Sequence, residues 1–122
     1  MISLDKMEEL LESIVEKFPK EIFKALNGGI ILLPELKRNK IGDKLFIMGE
    51  YHKGGSQGRF ITIYYGSFKR VYGHLKKEDL VDQLTKVLKH EFTHHLESLA
   101  GERGLEIEDE KFIEDYLRKN RR

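Results

Sequence analysis

Three residues in the sequence HEFTH, His90, Glu91 and His94, have the types and the spacing of a metal-dependent hydrolytic site. On an α-helix, residues four positions apart lie on one face, so the two imidazoles could bind one metal ion together. Because the chain has no cysteine, the metal ligands would be histidines and carboxylates. Zinc suits such ligands and binds histidine nitrogen at about 2.0–2.1 Å.

Glu91 follows the first histidine, so its carboxylate can lie beside the metal without binding to it. A carboxylate there could take a proton from a zinc-bound water, whose pKa falls to about 7, and pass it to a leaving amine. The motif therefore indicates Glu91 as general base and acid. Short motifs also occur by chance, and the alternative is a helix on which His90 and His94 are merely surface residues.

The motif needs a helix, and the apolar period of the surrounding segment predicts one. From about Lys77, apolar side chains recur at helical spacing, and Gly101 and Gly104 end the pattern. Its apolar face comprises Leu80, Leu84, Val87, Leu88, Phe92, His95, Leu96 and Leu99. His95 is turned about 100° away from its neighbour His94. We therefore expect His95 to be a buried histidine rather than a ligand.

The rest of the chain alternates between helical and extended patterns. Residues 4–18 have the spacing of an amphipathic helix, and Pro19 can begin a second, short helix. GIILLPEL, LFIMGEYH and RFITIYYGS are candidate strands, and the glycine-rich HKGGSQGR joins the last two as an antiparallel hairpin. KRNKIGDK indicates a charged turn, FKRVYGHL is ambiguous, and IEDEKFIEDYLRKN predicts a last helix. This order is typical of a small α+β domain.

Length and composition limit the classes of function. The 122 residues suit a single domain over residues 1–122. Lys and Arg number 22 against 21 for Asp and Glu, so net charge gives no reason to expect a nucleic-acid partner. No apolar run approaches the roughly 20 residues that span a membrane. The first residues, MISLDKMEELLES, lack the pattern of a secretory signal, and with the absence of cysteine this favours the cytoplasm.

Together these segments resemble the mini-zincins, small bacterial zincin-like metallopeptidases of the Asp-zincin type. The resemblance rests on LKHEFTHHLE, ITIYYGSF and FPKEIFKALNGGIILL, and it covers nearly the whole chain. It implies a minimal zincin-like fold, with a small mixed sheet of three to four strands packed against the active-site helix and flanking helices. It also implies a peptide or protein substrate, and zinc held by two histidines and an aspartate in the pattern HExxHxxGxxD.

The third ligand of that pattern is displaced in this chain. The histidines and the glutamate match, but Glu97 stands at the glycine and Ala100 at the aspartate. An insertion in the helix would align GLEIEDEKF with the family's GIDDERL segment. The resemblance then implies Asp109 as the third zinc ligand. A carboxylate at the start of a helix could instead be an N-cap.

Other carboxylates remain candidates for the third ligand. Glu97 shares a face with both histidines, but three ligands along one straight helix cannot surround a tetrahedral metal. Its side chain leans toward His94, which suits a hydrogen-bonding partner of that ligand better. Beyond Gly101 the chain can reverse and approach the metal from another side. The candidates in that segment are Glu102, Glu106 and Glu108.

The strand FITIYY could form the edge of a cleft and pair with an extended peptide. Three tyrosines could offer a hydroxyl to a developing oxyanion: Tyr64, Tyr65 and Tyr72. Tyr64 and Tyr65, which end this strand, are the candidate substrate-binding residues. The alternative is that each tyrosine packs its ring against the protein while its hydroxyl contacts water. His52 and His74 have no partner at metal spacing and are expected to be surface histidines.

The sequence therefore predicts a zinc-dependent metallopeptidase whose zinc lies on His90, His94 and Asp109. The alternative is a catalytically inactive peptide- or protein-binding module that keeps the fold, with or without the metal. Its motivation is size, because 122 residues leave little protein for substrate subsites. A nucleic-acid-binding domain is disfavoured by the near-neutral charge.

Overall fold

The computed structural model describes residues 1–40, 45–102 and 105–120, which form helices and strands of a mixed α+β fold. The helices are α1 (Leu4–Val15), a 3₁₀ turn (Lys20–Phe23), α2 (Tyr65–Tyr72), α3 (Lys77–Ala100) and α4 (Ile107–Asn120). The strands are β1 (Gly29–Leu33), β2 (Lys37–Arg38), β3 (Phe46–Ile47), β4 (Gly49–His52) and β5 (Phe60–Tyr64). The predicted α+β class is confirmed.

The main sheet has three strands in the order β1, β5, β4. Strand β5 pairs in parallel with β1 and antiparallel with β4, so the sheet is mixed and the predicted hairpin is confirmed. The prediction that β5 forms the cleft edge is wrong, because β5 has a neighbouring strand on each side. The edge that runs beside α3 belongs to β4.

The segment LFIMGEYH, predicted as one strand, is divided at Met48. Its first part, β3, pairs with β2 in a separate two-stranded sheet, and its second part, β4, joins the main sheet. The predicted charged turn contains β2, and its residues 41–44 lie outside the described residues. The ambiguous segment FKRVYGHL contributes to α2, which begins at Tyr65 directly after β5.

The core lies between one face of the main sheet and the apolar faces of α1 and α3. Ile61 and Ile63 point into it from β5 and are completely buried. Helix α4 contributes Ile113 and Leu117. From α3 the core receives the predicted periodic side chains Leu80, Leu84, Leu88, Phe92, Leu96 and Leu99. Because these lie on one side of α3, the two motif histidines remain exposed on the other. None of the helices among the described residues is long and apolar enough to cross a membrane.

Candidate functional site

His90 and His94 lie one turn apart on the exposed face of α3, and their Nε2 atoms are 3.0 Å apart. Their ring planes are inclined by 86°. Two nitrogens bound to one zinc at about 2.05 Å with a tetrahedral angle would be about 3.3 Å apart. A small rotation of the rings would therefore let both imidazoles bind one zinc ion.

Glu91 points from α3 toward strand β4 and is only 6% exposed. Its carboxylate accepts a hydrogen bond from the backbone N–H of Tyr51. Burial raises the pKa of the Glu91 carboxyl; the charge of Glu50 adds to this, whereas His94 and the Tyr51 hydrogen bond oppose it. A carboxyl with a raised pKa beside two candidate ligands suits a proton-transfer role.

The predicted third ligand, Asp109, does not join the histidine pair. Its carboxylate forms an ion pair with Lys24, which approaches the first turn of α4 from the segment before β1. Within residues 1–40, 45–102 and 105–120, no three His, Asp or Glu side chains converge in a group that could hold a metal. The assignment of Asp109 as a ligand stays a prediction.

The alternative third ligands are also distributed over different surfaces. Glu97 is near the pair, with its Oε1 3.8 Å from Nδ1 of His94, as expected for a partner of that histidine. Glu102 binds Arg59 at 2.6 Å, and the Glu108 side chain is exposed on α4. Among the predicted carboxylates, Glu97 is therefore the one placed beside a motif histidine.

The edge of β4 borders a groove above α3. The carbonyl of Met48 accepts from the N–H of Tyr64, so the backbone groups of the next residue, Gly49, and of Tyr51 point away from β5. Beside this edge is a hollow of about 320 Å³, the edge hollow, lined by Ile47, Met48, Gly49, Lys86, Val87, His90 and Glu91. Gly49, with its outward backbone groups, therefore lines the same hollow as His90 and Glu91.

A second depression, the histidine hollow, continues from the first around α3. It has a volume of about 360 Å³ and is lined by Lys86, Lys89, His90, Thr93, His94, Glu97 and Asn120. The two hollows share Lys86 and His90. The histidine pair thus lies in an open trough that reaches from the edge of β4 to the last turn of α4.

Gly49 allows β4 to approach α3 closely. A Cβ atom at this position would lie 2.9 Å from Cγ1 of Val87 and 3.1 Å from Cδ1 of Ile63. Any other residue would separate strand and helix, and would draw Glu91 away from the Tyr51 N–H. Neither Gly49 nor Tyr51 was predicted as a site residue. The signal in the sequence was an isolated glycine in a strand pattern, which often marks a close backbone approach.

His95 is completely buried, as predicted, and links three elements. Its Nε2 lies 2.8 Å from the Lys24 carbonyl oxygen, and its Nδ1 lies 2.9 Å from the Tyr51 hydroxyl. A carbonyl only accepts, so Nε2 carries the proton and Nδ1 accepts from Tyr51. Burial lowers the pKa of His95, which keeps the ring neutral. Tyr51 thus binds His95 through its hydroxyl and Glu91 through its backbone.

The two candidate substrate-binding tyrosines do not line either hollow. The Tyr64 hydroxyl donates to Glu50 at 2.6 Å on the sheet face opposite α3, and the side chain is 3% exposed. The Tyr65 hydroxyl donates to the carbonyl of Ile2 at 2.6 Å. Both hydroxyls therefore have structural partners, and their role toward a substrate stays a prediction. Tyr72 packs its ring against Phe68.

The Tyr64 hydroxyl belongs to a polar network on that outer face. Glu50 accepts from Tyr64 and from Lys37. Burial alone would raise the pKa of the Glu50 carboxyl. The two hydrogen bonds together outweigh this effect, so the pKa is lowered overall. The prediction of a surface histidine is wrong for His52, which is half-buried and bonds to Thr62 at 2.9 Å. It is confirmed for His74, which is exposed.

Comparison with solved structures finds a similar fold in a conserved hypothetical protein from Thermo thermophilus. The two chains have 32% sequence identity and a TM-score of 0.74, over 81% of this chain and 98% of the other. No family model matches the sequence, and no curated protein matches it. The similarity therefore extends over almost the entire chain of the Thermo thermophilus protein.

Proposed function

This chain belongs to the family of the conserved hypothetical protein from Thermo thermophilus, and we propose that it is a zincin-like, zinc-dependent metallopeptidase. The proposed substrate is a peptide or protein that lies extended beside β4. One observation carries the proposal: His90, whose Nε2 lies 3.0 Å from Nε2 of His94, and the buried Glu91 line the hollow beside the edge strand β4 together with Gly49.

The residues present fit part of a zinc site. His90 and His94 would be two ligands, because their nitrogen separation is close to what one zinc ion requires. Asp109, after release from Lys24, would be the third ligand, and Glu97 beside Nδ1 of His94 would orient that histidine. Bound zinc would supply a Lewis acid and lower the pKa of a water molecule.

Glu91 is the group that this chain provides for proton transfer. Burial raises the pKa of its carboxyl, which makes the carboxylate a stronger proton acceptor than an exposed glutamate. The Tyr51 N–H holds one side of the carboxylate, and the Tyr51 hydroxyl is held in turn by His95. This arrangement limits the rotation of Glu91 and keeps it beside the groove.

The outward N–H and C=O of Gly49 provide the peptide-binding part of the site. An extended peptide could form two hydrogen bonds with these groups without any requirement on its side chains. The neighbouring outward N–H, at Tyr51, is occupied by Glu91. The peptide would therefore pair with only a short stretch of β4, next to His90 and Glu91.

A peptide-binding module without catalysis is the second candidate. It is favoured by the hydrogen bond that holds the Glu91 carboxylate against Tyr51 of β4. It is also favoured by the described residues, in which no carboxylate joins the histidine pair in a group that could hold a metal. Such a protein would bind extended peptides along the same edge and leave them intact. The two candidates differ in a single measurable property, turnover that depends on Glu91.

Cleavage of a broad peptide library, followed by mass spectrometry, tests the proposal. We expect the zinc-loaded protein to cleave, and Glu91→Gln to lose cleavage by a factor of about 10² or more because it removes the proton acceptor. Glu114→Gln, an exposed change on α4, is the matched control and should retain full activity. Equal cleavage by wild type and Glu91→Gln, or none by either, would contradict the peptidase proposal.

A further inference from the structure

Two lysines, Lys86 and Lys89, precede the histidine pair on α3. Lys86 lines both the edge hollow and the histidine hollow. Lys89 lines the histidine hollow and a third hollow of about 280 Å³ between α3, α4 and the end of α1. Both lysines are exposed, and in the part of the chain that the structure describes neither ammonium group has an ion-pair or hydrogen-bond partner. The trough therefore has positive charge at this end.

The direction of the strand determines which end of a peptide would meet these lysines. Strand β4 and helix α3 run the same way, since Gly49 lies against Val87, and Tyr51 lies against Glu91 and His95. Antiparallel pairing is the slightly more stable arrangement per residue. A peptide paired antiparallel to β4 would run from the His95 end of the helix toward the Lys86 end, with its carboxyl-terminal side leading.

The distance between Lys86 and His90 along α3 determines how many peptide residues fit between the bond at His90 and a carboxylate at Lys86. Lys86 precedes His90 by four helical residues, which corresponds to about 6 Å along the axis at 1.5 Å per residue. An extended peptide advances about 3.3 Å per residue. A carboxylate held by Lys86 would therefore lie about two residues beyond the peptide bond at His90. In the opposite direction the trough ends at Glu97, which suits the amino-terminal side of the peptide.

We propose that Lys86 and Lys89 form a carboxylate-binding subsite, so that the groove selects peptides with a carboxylate about two residues beyond the bond at His90. The terminal carboxylate of a peptide and an acidic side chain supply the same chemistry. The position of the cleaved bond rests on the proposed peptidase function, whereas binding of the carboxylate does not require turnover.

Peptide binding to the full-length Glu91→Gln protein tests the subsite without cleavage. The probes are three blocked peptides: acetyl-tetraalanine with a free carboxylate, acetyl-tetraalanine amide, and acetyl-trialanyl-glutamate amide. Titrations up to millimolar peptide are followed by amide NMR shifts of α3. We expect each carboxylate probe to bind about 3- to 10-fold more tightly than the neutral amide, the range for one or two exposed ion pairs. The two carboxylate arms show whether the terminus or the side chain is preferred.

The lysine variants identify the source of that preference. Lys86→Gln and Lys89→Gln should each reduce it, and the double variant should abolish it. Lys69→Gln, an exposed lysine on α2 outside the trough, should leave it unchanged. Added salt should weaken the preference, because exposed charges are screened.

Equal binding of all three probes, no binding of any probe, or a preference that persists in the double variant would overturn the subsite. Failure of the peptidase proposal gives a different pattern. Carboxylate preference without Glu91-dependent turnover in the wild-type chain would contradict the proposed function alone. Turnover without carboxylate preference would contradict only the subsite.

Discussion

Tyr51→Phe tests the connection between β4 and the candidate site. The change removes one hydroxyl, which donates to Nδ1 of His95 at 2.9 Å, and keeps the ring and the backbone N–H that binds Glu91. Because His95 is completely buried and its Nε2 proton is already donated to the Lys24 carbonyl, Nδ1 would lose its partner with no access to bulk water. The variant therefore isolates one buried hydrogen bond.

A buried acceptor left without a partner costs about 1–3 kcal/mol. We expect the free energy of unfolding of Tyr51→Phe to fall by this amount. For a chain of this length, the midpoint of thermal unfolding should fall by roughly 3–6 °C per kcal/mol. The surface exposed on unfolding does not change, so the denaturant m-value should remain that of the wild type.

Urea unfolding followed by circular dichroism measures this difference. Tyr72→Phe is the matched control, since its hydroxyl has no hydrogen bond among the described residues. It should change the unfolding free energy by no more than about 0.5 kcal/mol. If Tyr51→Phe is as stable as Tyr72→Phe, the stabilising hydrogen bond between the Tyr51 hydroxyl and His95 is refuted.

Three further changes test other parts of the structure. Gly49→Ala should lower the free energy of unfolding by about 1–3 kcal/mol, because its methyl group would collide with α3 and β5, whereas Gly101→Ala meets only one atom at 3.7 Å and should be nearly neutral. Chemical denaturation of both variants checks this, and equal stabilities would contradict the close approach. Glu50→Gln should remove the stabilisation that the ionised Glu50 carboxylate provides. Because the pKa of this carboxyl is lowered in the folded protein, the stabilisation is present above about pH 4.5 and is lost as pH falls through the folded pKa. The stability difference between wild type and Glu50→Gln should therefore shrink between pH 7 and pH 3, and a constant difference would refute the assignment. Glu97→Gln should weaken zinc binding about 10- to 100-fold, the effect of removing a partner of a ligand histidine, while Glu114→Gln should not. Competition with a chromophoric chelator measures both affinities, and equal affinities would exclude a role for Glu97.

Local pattern was sufficient to predict the elements that carry the motif. The predicted helix from Lys77 and the last helix, IEDEKFIEDYLRKN, correspond to α3 and α4, because an apolar period at helical spacing defines both helices and Gly101 ends the first. The helical phase also correctly placed His95 in the core. The same phase left His90 and His94 on the exposed side, where a metal can reach them.

Contacts between distant segments could not be read from local pattern. LFIMGEYH was predicted as one strand, and the division at Met48 depends on two different partner strands, β2 and β5. The order of strands in the sheet likewise depends on partners, so β5 was wrongly placed at the cleft edge. The partner of Asp109 is Lys24, which is 85 residues away in the sequence, and no local signal indicates that pair.

Zinc binding per chain tests the central claim most directly. The full-length protein, His94→Ala and His74→Ala would each be equilibrated with zinc, freed of excess by gel filtration, and analysed by inductively coupled plasma mass spectrometry. His74 is exposed outside the trough, so its variant controls for the loss of a surface histidine. The account predicts one tightly bound zinc per chain in wild type and His74→Ala, and almost none in His94→Ala. Equal zinc in wild type and His94→Ala, whether high or negligible, would contradict a zinc site on His90 and His94.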